Sequence, residues 1–254
     1  MKKVLVIGDS CLDVFEYGKC RRICPEAPVP VLTPISETQN SGMAANVFEN
    51  LEGLGVKCAI LTNKTLPTKR RIIDEASNQM IVRVDSNDSV EPLDWEILNQ
   101  IYFADYEAIV VSDYDKGFLD REQLRFISHQ HNTVFIDTKK NIDDWILDFF
   151  CIKINDKESQ ENWGFLHEHY HGNLIVTLGK EGAILNYREK FPITNEHPVR
   201  DLTGAGDTFI AGLVANYIET KDIKEAIKFA NICASWAVSQ KGIGVVDNQK
   251  ITLR

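Results

Sequence analysis

Short apolar, β-branched runs alternate along the chain with stretches whose apolar residues recur every three to four positions. Residues 3–7 form the first run and close on Gly8-Asp9-Ser10, the pattern of a buried strand feeding a loop. Ala44, Val47, Leu51 and Leu54 recur at helical spacing and stop at Gly55, which predicts a helix over 44–54 with a glycine cap. Residues 57–61 read as a strand. Two extended runs, 68–73 and 79–85, flank Asp74-Glu75-Ala76-Ser77-Asn78 and predict a hairpin. Beyond it the spacing predicts helices over 93–103 and 121–131, and a short one from Asp156. Strands are expected at 108–112, 133–137, 150–154, 174–178 and 183–187, with helices at about 207–219 and 223–240.

Strands alternating with helices imply βαβ units, hence a mostly parallel sheet with helices on both faces. No repeat, low-complexity run or long linker interrupts the pattern, so residues 1–254 read as one α/β domain. In such sheets ligands bind beyond the carboxyl ends of the strands. Those ends carry Asp9 and Asp13, Ser112-Asp113, Asp137, Asn155 and Thr177. One polar residue there merely begins a loop; several at the same edge mark a site.

Composition narrows the classes. The chain carries 37 acidic and 28 basic residues, a net charge of −9, which argues against a nucleic-acid partner. No run reaches the roughly 18 apolar residues of a membrane span. The N-terminal run ends at Gly8-Asp9, too short for a secretory core, with no small-residue cleavage site after it, so a cytoplasmic location is expected. The six cysteines form no C-x-x-C pair. Cys20 and Cys24 have metal-like spacing, but no second pair or nearby histidine completes a site, and free thiols are the simpler reading. His167, His169 and His171 alternate and would not share one helix face, which makes them surface residues.

The most informative stretch is Asp201-Leu202-Thr203-Gly204-Ala205-Gly206-Asp207, running into an apolar helix. Small residues let backbone approach a ligand closely, and the helix start aims free N–H groups and its positive dipole end there. Together they make an anion hole suited to phosphoryl oxygens. Asp207 has two readings: a helix N-cap, or a base that accepts a proton from a hydroxyl attacking phosphorus.

This stretch resembles the C-terminal signature of the ribokinase-like carbohydrate kinases, the PfkB family. Gly8-Asp9-Ser10-Cys11-Leu12-Asp13, Tyr17-Gly18 and Pro25-Glu26-Ala27-Pro28-Val29-Pro30 resemble, within it, the D-glycero-β-D-manno-heptose-7-phosphate 1-kinases, the kinase halves of bifunctional ADP-heptose synthesis enzymes. Ala44-Ala45-Asn46-Val47, Ser112-Asp113-Tyr114 with Lys116-Gly117, and Phe229-Ala230-Asn231 fit the same subgroup. The resemblance implies a three-layer α/β/α fold with a small projecting β-sheet lid, at about 14–35 and 68–85. It implies an ATP- and Mg²⁺-dependent transfer to a sugar or sugar-phosphate hydroxyl, with the anomeric hydroxyl of a heptose 7-phosphate as the nearest substrate. Homodimerisation through the lid belongs to the same subgroup.

By the same resemblance, Asp207 is the base, and Gly204, Ala205 and Gly206 hold the transferring phosphoryl group. Asp13, Gly42 and Asn46 bind sugar. Asn155 and Glu158 repeat an Asn-x-x-Glu motif that supports Mg²⁺, Glu158 acting through water; taken alone they read as a strand end and a helix start. Thr177, Gly179 and Asn231 fall where ATP binds. Lys69 and Arg71 share one strand face and match a sugar-phosphate clamp, or else a solvated, aggregation-resistant edge.

Departures from the pattern are local. Met43 replaces a sugar-loop glycine, where its side chain narrows the pocket or shifts the loop, and Leu202 replaces a smaller or β-branched residue, a packing change. The chain is short between Asn63 and Thr68, where a helix and strand are missing, and within 156–173. These gaps keep a second reading open: a non-catalytic nucleotide or sugar-phosphate binder on the same scaffold. A dinucleotide oxidoreductase lacks its Gly-x-Gly-x-x-Gly after the first strand.

Overall fold

Alternate residues of the first strand, β1 (Lys3–Gly8), enter two different cores: Val4 and Val6 one, Leu5 and Ile7 the other. A strand buried on both faces belongs in the middle of a layered α/β structure. The computed structural model bears this out and describes residues 3–194, 197–248 and 251. Met1, Lys2 and residues 252–254, at the ends of the span read as one domain, lie outside them.

After β1 the chain runs through β2 (Ser10–Ile23), β3 (Pro30–Met43), α1 (Ala44–Gly53), β4 (Lys57–Thr62), β5 (Thr68–Asp74) and β6 (Gln79–Ser86). Then follow α2 (Trp95–Asn99), β7 (Ala108–Asp113), α3 (Arg121–Gln130), β8 (Val134–Thr138), β9 (Cys151–Asn155) and α4 (Asp156–His169). Last come β10 (Asn173–Thr177), β11 (Ala183–Leu185), β12 (Glu189–Phe191), α5 (Ala205–Thr220) and α6 (Ile223–Ala237). The large sheet has the order β12-β11-β10-β9-β8-β7-β1-β4, antiparallel only at β11 and β12. The smaller sheet has the order β3-β2-β5-β6 and is mixed, because β2 pairs parallel with β5. Helices α1, α5 and α6 cover one face of the large sheet, and α2, α3 and α4 the other. Each buried Val, Leu or Ile of these cores is worth roughly 1.5–3 kcal/mol. No helix among the described residues is long and apolar enough to cross a membrane.

Three predicted elements change. The helix expected over 93–103 ends at Asn99, because Phe103 turns into the core on a short 3₁₀ turn (Phe103–Asp105). The strand at 183–187 stops at Leu185, since Asn186 and Tyr187 take φ of 50° and 55° and turn the chain into β12, which the apolar pattern does not reveal. The strands of the small sheet reach further than 14–35: β2 and β3 are each 14 residues long and pair from Ser10–Met43 to Ile23–Pro30.

The short connection after Asn63 is firmly tied. The Asn63 side chain accepts from Ser10 N–H at 2.7 Å and donates to the carbonyls of Ser10 and Thr65. Five residues, 63–67, therefore carry the chain from β4, an edge of the large sheet, straight into β5 of the small one.

Candidate active site

The helix α5 starts without a side-chain cap. Its N-cap is Gly204, at φ 79°, a left-handed conformation that favours glycine. A Cβ there would stand 2.8 Å from Asn46 Nδ2. Asp207 is therefore not the N-cap. It sits inside the first turn and is 4% exposed. Asn46 Nδ2 donates to its Oδ2 at 3.0 Å and the Tyr114 hydroxyl to its Oδ1 at 2.7 Å. Asn46 is itself aimed: Asn50 Nδ2 donates to its Oδ1 at 2.8 Å, which turns the Asn46 amide nitrogen toward Asp207. Burial pushes the Asp207 carboxyl up to about 6, against the pull of its two hydrogen bonds.

Beside this turn lies a buried charge network. Asp137 and Lys153 stand directly across from each other on β8 and β9 and form an ion pair, both side chains under 5% exposed. Lys139 Nζ reaches Asp137 Oδ1 at 3.3 Å and Glu158 Oε1 at 2.6 Å. Burial alone would raise Asp137, but the two ammonium groups outweigh it and hold the carboxyl below its ordinary value. The network reaches α5 through Gly206, where a Cβ would come 3.0 Å from Lys153 Nζ. Glycine there leaves the Lys153 ammonium open to the turn.

Asn155 and Glu158 form the capping box of α4: Asn155 Oδ1 accepts from Glu158 N–H, and Glu158 Oε2 from Asn155 N–H, both at 2.9 Å. The strand-end, helix-start reading of this pair is thus present in the structure. Its link to the site is the Glu158–Lys139 contact. No group of three or more His, Cys, Asp or Glu side chains that could hold a metal gathers among the described residues.

On the other side of Asp207, Asp13 is buried and bonded to Arg71, whose guanidinium lies 5.1 Å from the Phe15 ring centre. A Cβ on Gly42 would collide with Asp13 Oδ2 and Cys11 Sγ, so only glycine lets β3 pass so close. Lys69 and Arg71 share the face that alternation predicts, but Arg71 is committed to Asp13. Lys69 has no carboxylate partner among the described residues; its ammonium lies 5.5 Å from the Tyr114 ring centre. Met43 keeps φ 60°, ψ −131°, a glycine-like backbone, with its side chain buried.

A cavity of about 520 Å³ opens behind α5, lined by Thr177, Gly179, Ile193, Leu202, Ala205, Gly206, Phe209, Asn231 and Val238 among others. Thr177 and Gly179 thus share one hollow with Ala205 and Gly206. Asn231 stands in its wall, with its amide donating to the Phe191 carbonyl at 2.8 Å. Leu202 is 71% exposed at the rim and is no packing residue: the turn into Gly204 carries it out of the core. His167 and His169 are exposed, stacked on Trp163 and tilted against Phe165, away from the site. All six cysteines are free.

Sequence reasoning missed Tyr114, Lys153, Lys139 and Asn50 as site residues. Lys153 had a signal, a lysine inside the otherwise apolar strand Cys151-Ile152-Lys153-Ile154. Tyr114 lay in a stretch that matches the kinase subgroup but carried no assigned role, and Asn50 had no signal, because only the folded chain brings them to Asp207 and Asn46.

Known proteins resemble this chain in sequence and in shape. Residues 35–250 match the pfkB family carbohydrate kinases. The bifunctional protein HldE of Nitratiruptor sp. is 31% identical over 298 residues, covering 98% of this chain and 64% of that protein. The HldE of Helicobacter pylori is 32% identical over 311 residues, covering 100% of this chain and 66% of that protein. The chain thus spans about two thirds of the length of these relatives. The matched regions are also longer than its 254 residues, as expected if material is missing after Asn63 and within 156–173. In shape, the ribokinase of Arabidopsis thaliana, solved with ribose and ATP, superposes with a TM-score of 0.75 at 15% identity, over 99% of this chain and 98% of that one. Phosphofructokinase-2 of Escherichia coli superposes with a TM-score of 0.74, at 15% identity, over 99% and 97%. With a ribokinase-like fold, a Gly-Ala-Gly-Asp turn at a helix start and a family match over most of its length, the chain belongs to the pfkB family of carbohydrate kinases.

Proposed function

We propose that the chain transfers the γ-phosphoryl group of ATP to a hydroxyl of a sugar or sugar phosphate, with the anomeric hydroxyl of a heptose 7-phosphate-like acceptor as the substrate. The observation that carries this reading is Asp207: a buried carboxylate at about 6, oriented by two donors, at the mouth of a glycine-rich helix start. At pH 7 roughly nine-tenths of such a carboxyl is ionised. It can therefore accept the proton of an attacking hydroxyl and stay close enough to neutrality to be an efficient base.

The cavity lining suits ATP, and it offers a metal ion contacts through water rather than a cage of side chains among the described residues. The cavity behind α5 has the volume and apolar lining for a purine nucleoside, with Thr177, Gly179 and Asn231 in its wall and Ala205 and Gly206 at the start of α5 also lining it. The first N–H groups of α5 and the Lys153 ammonium that Gly206 leaves open would hold phosphoryl oxygens there. Glu158 lies too far into its own capping box to be a full metal cage, and suits an ion held through water. When bound, ATP supplies the phosphoryl group and Mg²⁺ neutralises its oxygens. The chain's own part is to orient the acceptor with Asp13, Asn46 and Lys69, to take its proton at Asp207, and to keep water out with the small sheet. Lys69 favours a phosphorylated acceptor, since its charge is unpaired among the described residues. Dimerisation through the small sheet belongs to the same reading; β6 exposes Met80, Val82 and Val84 on one face.

The test is transfer of radiolabelled phosphate to a panel of sugars and sugar phosphates. Asp207→Asn should cost about 10²–10⁴-fold in turnover while ATP binding survives. A folded wild type that labels no acceptor overturns the kinase reading. The short 63–68 connection favours the alternative, a non-catalytic binder; that reading predicts ligand binding without turnover and indifference to Asp207→Asn.

A further inference from the structure

We infer that Tyr114 is a positioning residue for Asp207 beside Asn46: its hydroxyl fixes one carboxylate oxygen and favours the ionised form. The inference rests on the reading of Asp207 as the base and adds what holds that base ready.

Three contacts converge on Tyr114. Its hydroxyl donates to Asp207 Oδ1 at 2.7 Å. Its backbone N–H donates to Asp9 Oδ2 at 2.7 Å, and the same carboxylate gathers the N–H groups of Lys116 and Phe118, so the loop carrying the tyrosine is pinned to the end of β1. Two ammonium groups approach its ring: Lys69 of β5 and Lys139 just after β8, both 5.5 Å from the ring centre. A ring gripped this way keeps its hydroxyl in one place. Because Asn46 holds Oδ2, the two donors together fix the rotation of the carboxylate, and each oxygen keeps a lone pair for an incoming hydroxyl.

The electrostatic surroundings leave this role to the two hydrogen-bond donors, Asn46 and Tyr114. The charged groups facing Asp207 are Asp137 of β8, which raises it, and Lys153 of β9, which lowers it. Those two are paired to each other. The other titratable neighbours are Tyr114 and Cys11 of β2, both pushed upward by burial and so neutral across the working pH range. Asn46 and Tyr114 are thus the groups that favour the charged carboxylate by hydrogen bonding, and Tyr114 makes the shorter bond.

Tyr114→Phe keeps the ring and removes only the donor. A hydrogen bond to a charged group is worth about one to two pH units here. The acid limb of kcat should therefore move up from near 6 by that amount, with turnover down roughly two- to tenfold at pH 7 and recovering toward pH 9. KM for ATP should hardly change. A second substitution tests the opposite direction: 3-fluorotyrosine at position 114, a more acidic phenol and stronger donor, should move the limb down. A limb that stays in place in both variants, or a loss equal at every pH, overturns the inference and leaves Tyr114 a structural residue. The same titration is readable without turnover, from the carbon-13 signal of the Asp207 carboxyl, assigned by its absence in Asp207→Asn. If wild type transfers no phosphate, the kinase reading fails. The Asp207 signal of Tyr114→Phe still decides this one: an upward shift supports it, and an unmoved midpoint refutes it.

Discussion

Lys153→Met isolates the buried ion pair beneath the start of α5. In the wild type the Lys153 and Asp137 side chains are 4% and 3% exposed and bonded to each other. Methionine fills nearly the same space, so little of the loss comes from packing. It leaves Asp137 buried with Lys139 as its one ammonium partner, at 3.3 Å. Removing one member of a buried pair costs about 3–5 kcal/mol, because the remaining charge is stranded. For a chain of this length that is a Tm lower by roughly 10 °C. Urea unfolding followed by tryptophan fluorescence reads it directly.

The pH dependence gives the result a signature. In the wild type the folded Asp137 lies below its ordinary value. A carboxyl of that kind adds stability above its unfolded pKa and loses it as pH falls through the folded one. Without Lys153, burial is less opposed and the folded value rises. The variant then takes up a proton on folding where the wild type does not. The stability gap should be widest at neutral pH and narrow toward about pH 4, near the ordinary carboxyl value. Adding Asp137→Asn should recover at least half of the loss, since no charge is then stranded and Lys139 keeps Glu158 at 2.6 Å. A loss under about 1 kcal/mol at pH 7, where a buried pair predicts several, would refute the reasoning, as would a gap indifferent to pH.

Two further substitutions probe the sugar side. Met43 stands at φ 60°, ψ −131°, so Met43→Gly should be more stable than Met43→Ala by about 1–3 kcal/mol, the reverse of the usual order, in urea unfolding. Gly42→Ala places a Cβ against Asp13 and Cys11, and should raise the acceptor KM at least about tenfold, as a misplaced binding group does, while the ATP KM, measured in the same transfer assay, stays within about twofold.

Much of the site was legible because its local chemistry is local in sequence. Gly204, Ala205 and Gly206 are adjacent, and the need for small residues at a helix start that holds an anion is a property of one turn. Lys69 and Arg71 share a face for the same kind of reason, strand alternation. What those side chains touch was not legible. Arg71 is held by Asp13, 58 residues away, and Asp207 by Asn46, 161 residues away. The Asp207 cap reading failed because the backbone at Gly204 is left-handed, and the sequence shows that a glycine is there but not which way it turns. Leu202 was expected to pack and instead stands exposed at a cavity rim. The interrupted helix before β7 shows the same limit: apolar spacing marks what is buried, not whether one helix or a helix and a turn buries it.

By itself, then, the sequence determined the layers, the order of the strands along the chain, and the residue types at the helix start. Period and composition specify these through burial and backbone sterics alone. Tertiary structure decided the electrostatics. A carboxylate acquires its acidity from what surrounds it, and the neighbours of Asp207 and Asp137 come from α1, β8, β9 and the loops after β7 and β8. Those neighbours make Asp207 a poised base and Asp137 a fixed charge, although the two are the same amino acid.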